Sequence, residues 1–200
     1  MKKCRVVLLS VVSVMALSGC IGSHDYLKDG VKALENSEYD KAIESFSTMI
    51  DEESEDKPKN EKKQKIQENN LFEAHKGLAI SYFELEEYDK ALESYKVVDE
   101  YDGTKSESMY RNMAVCAQHL DMQEEAVTYA EKGLKAESAA EEDSDKKVPS
   151  DIRKDLYYII IKNNEDQGKW AEALEAAKEY TVEFPDDSEM EKEITFLETR

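Results

Sequence analysis

The sequence is poor in residues that interrupt regular backbone structure: its 200 residues include 7 glycines and 3 prolines. This scarcity excludes a collagen-like chain and a β architecture with many tight turns. Basic residues are also few, because 27 Lys and Arg stand against 46 Asp and Glu and leave a formal net charge of −19. Nucleic-acid binding needs a basic face for the phosphates, so we expect no nucleic-acid partner. Abundant Glu, Lys and Ala instead favour helices, and we predict an all-α fold.

The apolar stretch near the beginning of the chain is too short to cross a membrane, because it covers 6–17 and a transmembrane helix needs about 20 apolar residues. Three basic residues precede it, which is the layout of a secretory signal. The stretch ends in Leu-Ser-Gly-Cys at 17–20, and this segment resembles the lipobox of bacterial lipoproteins. The resemblance implies a signal peptide over 1–19, cleavage before Cys20 and a diacylglyceryl group on the Cys20 thiol.

A lipidated N-terminus and short linker would then occupy 20–23. Two acyl chains are enough for stable membrane attachment. We therefore expect a protein held by its lipid at the cell membrane, on the extracytoplasmic face.

Cysteine is scarce as well, with three in the whole sequence. Cys4 would leave with the signal peptide and Cys20 would carry the lipid, so Cys116 would remain and no intramolecular disulfide could form. Apolar residues flank Cys116 on both sides. We predict that it is a small buried hydrophobic residue, and a reactive thiol is the alternative.

Four segments of the remaining chain share one pattern, in which an aromatic or turn residue is followed three positions later by alanine and then by an aliphatic residue. The alanines are 49, 35 and 47 residues apart. Two charged blocks, over 51–70 and 137–150, account for the two longer spacings. Without them the spacing approaches 34 residues, the period of tetratricopeptide repeats (TPRs), which are stacked helix hairpins. The four alanines are Ala42, Ala91, Ala126 and Ala173.

The chain thus resembles the TPR family over 24–200. The family places a small residue twelve positions before each alanine, where two helices cross most closely. Gly30, Ala79 and Ala114 fit that position, whereas Ile161 departs from it. The resemblance implies a right-handed α-solenoid of about four hairpins and a C-terminal capping helix. The hairpins would cover about 24–52, 70–103, 105–138 and 151–186, and the cap 187–198.

A period of 3.6 residues in the apolar positions predicts nine helices. Strong helix formers over 61–67 predict that the third helix is longer than an ordinary repeat helix. The predicted helices cover about 24–36, 39–52, 60–85, 88–101, 105–120, 123–137, 151–167, 170–184 and 187–198.

No pattern in the sequence indicates catalysis. The three histidines are not spaced for shared metal binding, and no Ser-His-Asp grouping, nucleophile elbow or glycine-rich phosphate loop occurs. Neighbouring carboxylates are abundant, but no pair stands in an apolar segment that would adapt it to general acid chemistry. We therefore predict a protein that is not an enzyme, with no catalytic residue, no metal site and no cofactor.

The TPR resemblance also implies a binding surface, because members of the family contact ligands along a concave groove with the first helix of each hairpin. Apolar and aromatic side chains with a few charges suit an extended peptide or a partner helix. For Val31, Ile80 and Val115 the alternative is that they complete the core. The groove positions correspond here to Leu27, Lys28, Val31, Lys76, Ile80, Phe83, Arg111, Asn112, Val115, Tyr158, Ile159 and Lys162.

Two functions are compatible with this reading of the sequence. The first is a lipid-anchored scaffold that binds a protein or peptide at the cell envelope, as similar repeat lipoproteins do in envelope assembly. The second is a lipoprotein that captures a small substrate or a cell-wall fragment for an uptake or sensing system. An open groove favours the first function and a closed pocket with convergent polar groups favours the second.

Overall fold

The computed structural model describes residues 25–55, 58–102, 105–136 and 151–200. Within these ranges the chain forms nine α-helices and no β-strand, so the predicted all-α class is confirmed there. The helices are α1 (Tyr26–Glu35), α2 (Tyr39–Glu55), α3 (Glu61–Glu84), α4 (Tyr88–Glu100), α5 (Glu107–His119), α6 (Gln123–Lys135), α7 (Asp151–Asp166), α8 (Trp170–Glu183) and α9 (Ser188–Leu197).

Each predicted helix is present, and each observed end lies within three residues of the predicted one. Much of the charged block 51–70 is helical, because α2 continues to Glu55 and α3 begins at Glu61. The 24-residue length of α3 agrees with the predicted extension. The predicted signal peptide, Cys20, the linker over 20–23 and the charged block over 137–150 lie outside the described residues.

Four helix pairs are joined by the same three-residue turn. In each turn the middle residue has a left-handed backbone, with φ between 57° and 69°. The next N–H donates to a carbonyl five residues earlier in the preceding helix, as from Glu38 to Ala33 and from Lys169 to Asn164, both at 2.8 Å. This is the Schellman arrangement, which satisfies carbonyls at a helix end and reverses the chain. The middle residues are Ser37, Glu86, Asp121 and Gly168.

The second helix of each pair is packed through the repeated alanine. The four alanines are fully buried, and so are the side chains four positions later. Each helix contacts the next one in sequence, while α1 also contacts α3 and α5 also contacts α7. The buried apolar side chains form three core clusters: one between α1, α2 and α3, one between α3, α4 and α5, and one from α5 to α9. The side chains four positions after the alanines are Phe46, Tyr95, Ala130 and Ala177.

Arg153 at the beginning of α7 ties four helices together. Its guanidinium donates to both carboxylate oxygens of Glu183 on α8, at 2.7 and 2.5 Å. It also donates to Glu107 on α5 and to the carbonyl of Leu134 on α6, each at 3.0 Å. Glu107 is 4% exposed, so its carboxylate has little contact with water and the nearby guanidinium stabilises its charge.

The C-terminal helix α9 covers one side of the last hairpin. Asp187 caps it by accepting from the N–H groups of Glu189 and Met190, and it also accepts from the Tyr180 hydroxyl at 2.5 Å. Met190 and Leu197 are buried at 1% and 2% exposure. No described helix, α9 included, is long and apolar enough to span a bilayer.

Candidate functional site

The clearest concave feature among the predicted groove residues is a cleft between α3 and α5, closed at its base by α4. Its volume is about 300 Å³. Three predicted groove residues line it, namely Lys76, Ile80 and Asn112, together with Phe72, Tyr95 and Met109. We call this feature the α3–α5 cleft. It lies between the second and third hairpins, so neither hairpin forms it alone.

One further predicted groove residue, Arg111, joins Asn112 of the cleft lining in a hydrogen-bond network. Arg111 holds Asp155 on α7 through Nε at 3.1 Å and Nη2 at 2.8 Å. Its Nη1 donates to Asn112 Oδ1 at 3.4 Å, and Asn112 Nδ2 donates to Tyr95 Oη at 2.9 Å. The network thus runs from a surface ion pair to a hydroxyl on the cleft wall.

Tyr95 is the most buried polar contributor to the α3–α5 cleft, with 1% exposure. Burial raises the pKa of its hydroxyl far above the ordinary value, and the hydrogen bond from Asn112 only partly offsets this. The hydroxyl therefore stays protonated and keeps its hydrogen for donation at any physiological pH.

Lys76 stands at the rim of the cleft with its charge compensated. Its Nζ lies 3.5 Å from Glu73 Oε2 and 5.9 Å from the centre of the Phe72 ring. Both members of the ion pair are about half exposed, so the pair contributes little to stability.

The remaining groove predictions on α3 and α5, Phe83 and Val115, are partly buried against core clusters that extend beyond their own hairpins. Phe83 is partly buried and meets the Tyr88 ring edge-on at 6.0 Å. Tyr88 in turn stacks on His119 with ring centres 3.9 Å apart. Val115 is partly buried against the core cluster of the last two hairpins.

The predicted groove residues of α1 and α7 differ in exposure. Leu27 packs against the core cluster between α1, α2 and α3, whereas Val31 is 40% exposed and Lys28 is exposed. Tyr158 is 44% exposed. Neither α1 nor α7 contributes to the lining of the α3–α5 cleft.

Two neighbours of Tyr158 complete the α7 set. Ile159 is 6% exposed and belongs to the core, so little of its side chain is available to a ligand. Lys162 is exposed and pairs with Asp166 at 2.5 Å, one helical turn away.

The place of Tyr95 in the cleft was not predicted from the sequence. The available signal was its chemistry: Phe46 occupies the same position in the first hairpin, and a tyrosine there brings a hydroxyl that must find a partner. Asp155 was also missed, because its partner Arg111 lies 44 residues earlier in the chain.

Cys116 has the properties predicted for a buried hydrophobic residue. It is fully buried, and burial raises the pKa of its thiol to about 12. The thiolate that nucleophilic chemistry requires is therefore scarce at physiological pH. Across the described ranges no group of three or more His, Cys, Asp and Glu side chains is arranged to hold a metal ion.

A pair of carboxyl groups joins α7 to α9 on the other side of the last hairpin. Burial, then a hydrogen bond with Glu193 and the charge of Glu193, raises the pKa of Glu165 to about 7. Glu165 Oε1 is buried and accepts no hydrogen bond within the described structure. Protonation of one carboxyl in the pair relieves the repulsion between them.

Neither the protein-family models nor the curated proteins contain a match to this chain.

Proposed function

We propose that this chain is a lipid-anchored, extracytoplasmic TPR scaffold that binds a protein or peptide of the cell envelope through its concave groove, without catalysis. In this proposal the four hairpins stack as a right-handed solenoid and α9 caps its last apolar face. The repeated Schellman turn supports the stacking, because identical hairpins joined side by side generate a superhelix.

The observation that carries the binding function is the α3–α5 cleft. It is formed where two hairpins meet, and three side chains predicted for ligand contact line it. Exposed Tyr158 and Val31 extend the same set of positions to the fourth and first hairpins. The buried, protonated thiol of Cys116 supports a role without nucleophilic chemistry.

Attachment through Cys20 would place the domain within a few residues of the bilayer, because the linker over 20–23 is short. A partner would then be met at the cell envelope, and envelope assembly is a role that suits such a scaffold. A small substrate or a cell-wall fragment, delivered to an uptake or sensing system, is the competing occupant of the groove.

The test is a crosslinking pull-down from native membranes with the complete chain. A Lys76→Ala, Tyr158→Ala variant changes two exposed groove positions, and a Lys96→Ala, Val182→Ala variant changes two exposed positions on second helices. We expect a protein partner that the wild type and the control capture and the groove variant loses. Equal capture by all three would contradict groove binding, and capture of no protein would favour the small substrate.

A further inference from the structure

The polar chemistry of the α3–α5 cleft indicates what it binds. We propose that the cleft holds a neutral peptide segment whose apolar side chain lies between Phe72, Ile80 and Met109 and whose main-chain carbonyl accepts a hydrogen bond from Tyr95 Oη. This inference rests on the proposed function and names the chemistry of the ligand at one point of the groove.

The direction of the hydrogen bonds around Asn112 leaves the hydroxyl hydrogen of Tyr95 available for donation. Asn112 Oδ1 accepts from Arg111, which orients the amide so that its Nδ2 donates to Tyr95 Oη at 2.9 Å. Tyr95 is therefore the acceptor in that bond, and its own hydrogen points elsewhere. No residue in the described part of the chain accepts it. A buried donor without an acceptor is costly, so the occupant of the cleft, water or ligand, must supply one.

The acceptor fits a carbonyl better than a carboxylate because the nearby cations are already paired. Lys76 lies 3.5 Å from Glu73, and Arg111 uses two donors on Asp155. A carboxylate would add negative charge beside Glu73 in a chain with a net charge of −19. A main-chain carbonyl satisfies Tyr95 without that repulsion.

The size and the lining of the α3–α5 cleft also support a peptide residue as its occupant. A volume of about 300 Å³ is at the small end of ligand pockets and suits one peptide residue with its flanking backbone. Phe72, Ile80 and Met109 offer an aromatic ring, a branched chain and a flexible thioether, which together accept an aliphatic side chain. Ser106 and Ser108 line the cleft as well. Their hydroxyls are 2.9 Å apart, so one donates to the other and one hydrogen is left that can be donated to a second carbonyl.

The test titrates the isotope-labelled complete chain in detergent micelles with three synthetic peptides at millimolar concentrations. The peptides are acetyl-Ala-Leu-Ala amide, the same peptide with a free C-terminal carboxylate, and acetyl-Ala-Ser-Ala amide. Nuclear magnetic resonance follows the chemical shifts of the cleft residues. Tyr95→Phe removes only the hydroxyl, and Tyr129→Phe is a matched control outside the cleft.

We expect the neutral leucine peptide to shift the signals of the cleft and to bind more tightly than the other two. Tyr95→Phe should weaken its binding by about 2- to 10-fold, the range for one hydrogen bond, and Tyr129→Phe should not change it. Unchanged affinity in Tyr95→Phe, tighter binding of the free carboxylate, or no shift in the cleft would each overturn the proposal. A partner captured in the pull-down would still support the scaffold, so the two proposals can fail separately.

Discussion

Gly77 on α3 faces the ring of Phe46 so closely that no other residue fits at its position without movement. A Cβ atom on Gly77 would overlap the ring, and a Cβ on Gly30 of α1 would lie 2.6 Å from the ring's Cδ1 and Cε1. Phe46 is fully buried between them. The first hairpin and α3 therefore share one aromatic side chain, and two glycines make room for it.

We predict that Gly77→Ala destabilises the protein by about 1–3 kcal/mol, the usual range for overpacking a core. Alanine in a helix interior would otherwise stabilise it by about 1 kcal/mol relative to glycine, so the sign of the change is diagnostic. Urea unfolding measures it. The same substitution in a Phe46→Leu background should cost at least about 1 kcal/mol less, because the ring is gone. Stabilisation by Gly77→Ala alone would contradict the close approach.

The left-handed residues in the four turns allow a second prediction, which concerns the cost of backbone conformation. Gly168 has φ +69°, and a Cβ there would meet no atom nearer than 3.9 Å, so only the backbone opposes a side chain. Gly168→Ala should therefore cost about 1 kcal/mol. Asp121→Gly, at the equivalent position with φ 57°, should cost much less than that or stabilise the protein. Thermal unfolding measures the stability of both variants. Equal losses of stability in Gly168→Ala and Asp121→Gly would contradict the equivalence of the two turns.

Removing the guanidinium of Arg153 should destabilise the last two hairpins strongly. Arg153→Met keeps the length of the side chain but removes the guanidinium that pairs with Glu107, 4% exposed, and with Glu183. Breaking a buried ion pair on one side costs about 3–5 kcal/mol, and the partial exposure of Arg153 favours the lower end. Lys192→Met breaks an exposed pair with Glu189 and should change the unfolding free energy by less than about 1 kcal/mol. Similar effects of the two variants would contradict the role of Arg153 in holding the four helices together.

The docking of α9 should weaken as pH rises through about 7. The pKa of Glu165 is raised from its ordinary 4.5 to about 7 in the folded protein, so its contribution to stability is complete below pH 4.5 and is lost as pH rises through 7. Trp170, the single tryptophan, reports on this interface because its ring meets Phe196 of α9 at 6.5 Å.

Tryptophan fluorescence should therefore change between pH 5 and 8, a window set by that pKa. Glu165→Gln, which cannot ionise, should remove the transition, and Glu191→Gln on the exposed side of α9 should keep it. A transition that persists in Glu165→Gln would assign it to another group.

Membrane attachment should depend on one thiol. Cys20→Ala leaves the apolar stretch over 6–17 in place but removes the thiol that we propose as the acceptor of the diacylglyceryl group. We expect the wild type in the membrane fraction, with a mass that includes the lipid, and the variant without that mass. Cys116→Ala is the control, because its buried thiol cannot take part. An identical mass for wild type and Cys20→Ala would refute lipidation there.

The helices and turns followed from the sequence because their causes are local. Apolar periodicity marks the buried face of each helix, and a hairpin turn involves hydrogen bonds that span only five residues. Even so, only one of the four left-handed positions carries glycine, so residue type alone would not have located all of the turns.

The candidate site was less predictable because it depends on contacts between residues that are far apart in the chain. The TPR resemblance assigned Lys76, Ile80 and Asn112 to one groove, and these three residues line one cleft. It assigned Ile159 to the same groove, and the side chain of Ile159 is 6% exposed. Exposure of Tyr158 and burial of Ile159 are decided by the rotation of α7 against its neighbours, which adjacent positions in a sequence do not reveal.

The helical class and the order of the helices could be inferred from the sequence, because each depends on contacts within a few residues. Which side chains come into contact across helices became known from the packed structure. The sharing of Phe46 by Gly30 and Gly77, and the path from Asp155 through Arg111 and Asn112 to Tyr95, join residues far apart in the chain. Such contacts exist only after several helices have packed together, since packing rather than local preference sets their geometry.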